Sequence, residues 1–183
     1  MSYTPPGVGG GGDLILVQDQ IVAGAAVDRF TFAGLNGDVD SYYELWWWLE
    51  DRQAGADSVE IQPNNLNTNQ TSVWDVTVGT PASPNSNNEA AMPKCAGTGL
   101  QRDQAWGIIR YQARSGTFRS YVSESGEGDL AAGGNYDRWY HQGLWRDSVT
   151  NITSLVLKTV DVLNSAIVGF GIGSRATLWR RPV

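Results

Sequence analysis

The sequence predicts an all-β protein: an antiparallel, jelly-roll-like β-sandwich of about ten strands with a flexible N-terminal arm. Short runs of β-branched and aromatic residues recur along the chain, and these residue types favour the pleated surface of a sheet. Several runs alternate polar with apolar residues, which gives a strand one buried and one solvent-facing side. Gly, Asn and Pro separate the runs and supply turns.

The arm is predicted at residues 1–12, and residues 13–183 form a single β-sandwich domain. Pro5 and Pro6 cannot continue a helix, and the glycines at 9–12 have little conformational restraint. The arm is either a disordered tail or a segment that becomes ordered on a partner subunit. Its candidate contact residues are Tyr3, Pro5, Pro6 and Val8.

The predicted strands follow the apolar and alternating runs in chain order. They are residues 14–17, 29–32, 42–49, 59–61, 73–78, 106–111, 118–122, 152–160, 166–170 and 176–180. Polar, Asn-rich or Pro-rich stretches between them predict loops that face partners or solvent. These loops are residues 63–70, 80–99 and 126–138.

The run 42–51 also allows a helix, because Glu44, Leu45, Trp48 and Leu49 lie at helix-like offsets. The three adjacent tryptophans at 46–48 lose side-chain freedom in a helix. They suit a strand that is buried on both faces, so we predict a strand here.

The composition argues against several classes of protein. Charged residues make up only 17% of the chain and the net charge is −6, whereas nucleic-acid binding needs clustered Lys and Arg. No apolar stretch approaches the roughly 18 residues of a membrane helix. The N-terminus lacks the basic and apolar regions of a signal peptide. We therefore expect no nucleic-acid partner, no membrane insertion, and synthesis in the cytoplasm without export by a signal peptide.

Little in the sequence suggests enzyme chemistry. Cys95 and His141 are the only Cys and His, so a disulfide framework and a multi-histidine metal site are excluded. No Gly-x-Ser-x-Gly motif accompanies His141. A hydrolase with two carboxylates stays open as an alternative. Its candidates are Asp38, Asp40, Glu44, Glu50, Asp51, Glu124 and Glu127. We predict a non-enzymatic protein without a cofactor.

Asn36, Asp38 and Asp40 place oxygen ligands at alternate positions, as at the start of a calcium loop. An EF-hand does not fit, because Ser41 stands where Gly is needed and Trp47 where the final Glu is needed. The preferred interpretation is a tight turn, with a calcium site as the alternative.

A second cluster combines Trp139, Tyr140 and Trp145 with their neighbours Asp137 and Arg138. Aromatic residues and Arg anchor protein interfaces, and the same set suits stacking against sugars. The cluster is a candidate glycan or subunit contact, although burial in the core is the favoured interpretation for any one Trp.

Segments near both ends of the chain resemble tailed-bacteriophage virion proteins. Residues 32–46 (Phe-Ala-Gly-Leu-Asn-Gly-Asp-Val-Asp-Ser-Tyr-Tyr-Glu-Leu-Trp) are similar to a segment in which a strand ends in Gly-Leu-Asn/Asp-Gly, an acidic turn follows and a Tyr opens the next strand. Residues 61–65, residues 143–147 leading to 151–156, and the ending 171–179 also resemble these proteins. Similar endings close β-sandwich domains of phage tail fibres and of head decoration or head-fibre proteins.

The resemblance implies a non-enzymatic structural protein of the virion. A capsid decoration or head-fibre protein that binds other virion subunits is preferred, because one short domain is too small for a complete fibre. The alternative is a tail-fibre domain that recognises host surface glycans. Low charge, many aromatics and a Gly-rich arm suit contacts between subunits, and a homotrimer is the predicted assembly. The resemblance supplies no catalytic residue.

Overall fold

The described part of the chain is built almost entirely from antiparallel strands. The computed structural model describes residues 14–50, 58–66, 70–76, 85–87, 104–128, 136–160 and 169–181. Within these ranges the elements are β1 (Ile15–Ile21), β2 (Arg29–Ala33), α1 (Gly37–Asp40), β3 (Tyr42–Glu50), β4 (Ser58–Pro63), β5 (Gln70–Val76), β6 (Asn85–Asn87), β7 (Gln104–Gln112), β8 (Arg119–Gly128), β9 (Tyr136–Trp145), β10 (Ser154–Val160) and β11 (Arg175–Arg180).

The strands form two antiparallel sheets. The order is β1-β11-β3-β7-β8-β9-β5-β6 in the eight-stranded sheet and β2-β10-β4 in the three-stranded sheet. Side chains from both sheets form one hydrophobic core, for example Phe32 and Leu157 with Leu45 and Ile109. The predicted antiparallel β-sandwich is confirmed. Its jelly-roll detail stays a prediction, and the predicted arm lies outside the described residues.

β3 confirms the strand predicted in the Trp-rich run, but the prediction that both of its faces are buried is wrong. Tyr43, Leu45, Trp47 and Leu49 are buried, whereas Trp48 between them is 42% exposed. The three-stranded sheet lies on one side of β3 only, so alternate residues of the strand reach the core.

Two strands were not predicted from the sequence. β9 lies at Tyr136–Trp145 and β6 at Asn85–Asn87. The predicted loop 126–138 therefore contains the start of β9, and the predicted loop 80–99 contains the whole of β6. β9 pairs with β8 on one side and β5 on the other, and these ladders satisfy the backbone of a run that mixes polar and aromatic residues.

Side-chain hydrogen bonds join the two sheets along one seam. The edge strand β1 donates from Gln18 Nε2 to the carbonyl of Ala33 (2.6 Å) and from Gln20 Nε2 to the carbonyl of Thr31 (2.8 Å), both in the edge strand β2. These bonds occupy backbone acceptors that an edge strand otherwise offers to another chain.

Arg119, at the start of β8, is buried: the residue is only 1% exposed. Its guanidinium lies 4.8 Å from the ring centroid of Trp145. It donates to the carbonyl of Arg114 (3.4 Å) and to the carbonyls of Asp147 and Thr150. One side chain thereby fixes the connection between β9 and β10 to the eight-stranded sheet.

The three-stranded sheet carries a shielded ion pair on the side opposite the core. Lys158 and Glu60 are partners in the β10–β4 register, with 2.8 Å between Nζ and Oε2. Their side chains are 16% and 9% exposed. Gln62 Nε2 donates to the same carboxylate at 2.8 Å, so Glu60 is compensated by a charge and by an additional hydrogen bond.

Candidate functional site

The side of the eight-stranded sheet that faces away from the core is the candidate site; we call it the outer face. The register brings alternate residues of six neighbouring strands onto this side. In sheet order these strands are β1, β11, β3, β7, β8 and β9. Its described members include Leu16, Asp19 and Ile21 (β1), Arg175, Thr177 and Trp179 (β11), Tyr42, Glu44, Trp46, Trp48 and Glu50 (β3), Trp106, Ile108 and Arg110 (β7), Val122 and Glu124 (β8), and Tyr140, Gln142 and Leu144 (β9).

The outer face presents large apolar side chains to solvent. The most exposed, between 38% and 63%, are Leu16, Ile21, Trp48, Val122, Tyr140 and Leu144. They come from four different strands and therefore extend across the sheet instead of clustering at one tip. Broad exposed apolar patches are typical of binding surfaces.

Glu44 lies at the centre of the aromatic part of the outer face, and its side chain is only 6% exposed. Trp46 Nε1 donates to Oε1 at 2.6 Å, and Arg110 Nε donates to Oε2 at 3.3 Å. The ring of Trp179 lies 6.0 Å from that of Trp46. The negative charge is thus neutralised beside the rings, and both Trp46 and the guanidinium are held in place.

A similar arrangement fixes the exposed Trp48. Its Nε1 donates to Glu50 Oε1 at 2.6 Å. Because β3 residues two apart lie on the same side of the sheet, each indole uses the carboxylate of a neighbour in its own strand. The aromatic surface is therefore ordered before any partner binds, which lowers the entropy cost of binding.

At the β1 end of the outer face, Asp19 and Arg175 form a paired contact. Arg175 Nε and Nη2 donate to the two carboxylate oxygens at 2.8 and 2.6 Å, and Thr177 Oγ1 donates to Oδ1 at 2.8 Å. The hydrogen bond from Arg175 lowers the pKa of Asp19 below its ordinary value of 3.8 and raises the pKa of Arg175.

This contact predicts a stability change in acid. The pKa of Asp19 is lower in the folded than in the unfolded chain. The ionised carboxylate therefore stabilises the folded state above the unfolded pKa, and this stabilisation is lost as the pH falls through the folded pKa. Asp19→Asn should flatten the acid dependence of the free energy of unfolding, measured by urea titration at about pH 6 and about pH 3. Parallel pH profiles for the two proteins would count against the assignment.

The structure places members of the predicted aromatic cluster around Trp139, Tyr140 and Trp145 on opposite sides of the sheet. Trp145 is fully buried and lies against Arg119. It is therefore a core residue, and its prediction as a glycan or interface contact is wrong. Tyr140 lies on the outer face and is 38% exposed. In a strand, residues separated by an odd number of positions face opposite sides, so Tyr140 and Trp145 cannot share one surface. Asp137, Arg138 and Trp139 lie in β9, but their side chains are outside those described.

The calcium alternative receives no support from the side-chain geometry. Asp38 Oδ1 accepts from the backbone N–H of Ser115 at 2.7 Å, and hydrogen bonding from Ser115 lowers the pKa of Asp38. Arg180 Nη1 donates to Asp40 Oδ1 at 2.7 Å, and Asn36 Oδ1 accepts from the side chain of Asn151 at 3.1 Å.

The three oxygen groups therefore serve separate contacts around α1. Asp40 has a second partner there, because Tyr43 Oη donates to its Oδ2 at 2.6 Å. In the part of the chain that the structure describes, no three His, Cys, Asp or Glu side chains are grouped to hold a metal ion. The tight turn predicted here is a single turn of helix, Gly37–Asp40.

Other candidates fall outside the described part. These are the arm residues Tyr3, Pro5, Pro6 and Val8, together with Cys95, Asp51 and the side chains of His141 and Glu127. Among the described helices none is long and apolar enough to cross a membrane.

The outer face was not predicted as a site, although β3 carries a signal for it. In β3 the alternation Tyr42-x-Glu44-x-Trp46-x-Trp48-x-Glu50 places aromatic and acidic residues together on one side. The other members come from strands distant in sequence, and only the sheet order brings them together.

Comparison with known proteins gives no family assignment: the sequence matches no protein-family model and no curated protein.

Proposed function

We propose that the chain is a non-enzymatic structural protein of a bacteriophage virion, used as a capsid decoration or head-fibre subunit. The observation that carries the proposal is the wide apolar outer face, whose exposed residues include Trp48, Val122 and Leu144. Such a face suits contact with other subunits. The resemblance of residues 32–46 and 171–179 to virion proteins points in the same direction. In this proposal the arm at 1–12 attaches the sandwich to the particle.

Quantitative mass spectrometry of purified particles from the source culture tests the proposal. Copy numbers comparable to the major capsid protein are expected for head decoration. A few copies per particle would instead indicate a tail or vertex fibre. Complete absence from purified particles would overturn the virion proposal.

A glycan-binding fibre domain is the second candidate, and the ordered aromatic side chains favour it. Trp48 and Tyr140 are both partly exposed on the outer face, and the Trp48 indole is fixed by Glu50. A fixed ring can stack on a sugar without a further loss of side-chain entropy. A change in intrinsic Trp fluorescence on addition of host surface polysaccharide is expected only if this candidate is correct.

A further inference from the structure

We infer that the outer face is an interface between copies of this chain. The inference concerns the protein in solution and does not depend on the virion proposal. Leu16, Ile21, Trp48, Val122 and Leu144 are its exposed apolar side chains, and they are distributed over β1, β3, β8 and β9. A protein partner can cover a face of this width, whereas a sugar stacks on individual rings.

The size of the outer face fits a stable interface. Six strands about 4.8 Å apart, each with about seven residues at about 3.3 Å per residue, give roughly 700 Å² in projection. A standard interface buries about 800 Å² of accessible surface on each partner. The aromatic and apolar side chains raise the accessible area above the projected area, so one outer face is large enough.

The charges of the outer face favour a second copy over a strongly charged partner. Glu44 is paired with Arg110 and Asp19 with Arg175 within the same face, and Glu50 accepts from Trp48. Because the charges of these two ion pairs are already compensated, this part of the face can lose water without an oppositely charged partner. Another copy of this low-charge chain meets that requirement, and self-association in a closed symmetric assembly is the commonest arrangement of soluble subunits.

The test compares arginine substitutions at exposed apolar positions on and off the outer face. Val122→Arg places a positive charge beside Arg110, its partner in the β7–β8 register. Ile21→Arg changes the β1 end, where the side chain is 63% exposed. Val149→Arg is the matched control, since Val149 is 84% exposed and lies in the connection between β9 and β10. Sedimentation velocity over a micromolar concentration series measures the oligomeric state, and circular dichroism verifies the fold.

We expect an oligomer for the wild type and for Val149→Arg. Val122→Arg and Ile21→Arg should each weaken self-association by on the order of tenfold or more, because the introduced charge must lose water in the interface. A monomeric wild type would overturn the inference and leave the outer face to a different partner. Retention of the oligomer by both folded outer-face variants would also overturn it and would place the interface elsewhere. Neither result would contradict the virion proposal, which depends on the presence of the protein in particles.

Discussion

Arg119→Met is expected to lower the free energy of unfolding by about 3 kcal/mol or more. The substitution keeps an unbranched apolar stem but removes the donors that reach the carbonyls of Arg114, Asp147 and Thr150. Arg119 is 1% exposed, so water does not easily replace those donors. The ring of Trp145 also loses its stacked guanidinium. Urea unfolding monitored by Trp fluorescence measures the effect.

Arg119→Lys is the matched control for this prediction. It keeps the positive charge and loses the planar fork, so its stability should lie between those of the wild type and Arg119→Met. A loss below about 1 kcal/mol for Arg119→Met would show that the connection between β9 and β10 is held by other contacts.

The second large effect is expected at the shielded ion pair of the three-stranded sheet. Lys158→Met should cost about 3–5 kcal/mol, because it leaves the carboxylate of Glu60 shielded from water without its cation. The hydrogen bond from Gln62 remains but does not supply a charge. The measurement is again the free energy of unfolding from urea titration.

A double variant separates the pair from general packing. In Lys158→Met/Glu60→Met both charges are absent, so part of the lost stability should return; the amide of Gln62, which loses its acceptor, limits the recovery. If the double variant is as unstable as the sum of the two single variants, the ion pair is not the cause of the loss.

The sequence predicted the strands whose residue pattern agrees with their burial. Phe30 and Phe32 in β2 alternate with polar residues, and both are buried. β9 was not predicted, because Tyr140 and Gln142, which face outward, are amphipathic and polar, and Gly143 follows directly after them. An isolated glycine weakens the pattern of a strand and indicates a bulge or a close approach to the backbone. Here it provides space, since a Cβ at Gly143 would lie 2.1 Å from Tyr121 Oη.

The candidate site could be predicted only in part. Residues 42–50 reveal the aromatic and acidic alternation of β3, but the partners of Glu44 depend on the sheet order. Arg110 is opposite Glu44 in the β3–β7 register and Trp179 is opposite it in the β11–β3 register. Long-range pairing of this kind leaves no local pattern in a single sequence. For the same reason, the proximity of Tyr140 and Trp145 in sequence suggested a shared surface that the strand geometry does not provide.

The pairing of the first strands with the last ones has a consequence for synthesis of the protein. β1 pairs with β11, β2 with β10, and β3 with β11 as well as β7. At about 5–20 residues per second, a ribosome needs on the order of 10 s between making β2 and making β10. During that interval the first two strands have none of the ladder partners they have in the finished sheets. Folding of this sandwich is therefore expected to be completed only after the C-terminal strands have emerged, with the long-range pairing as its slow step.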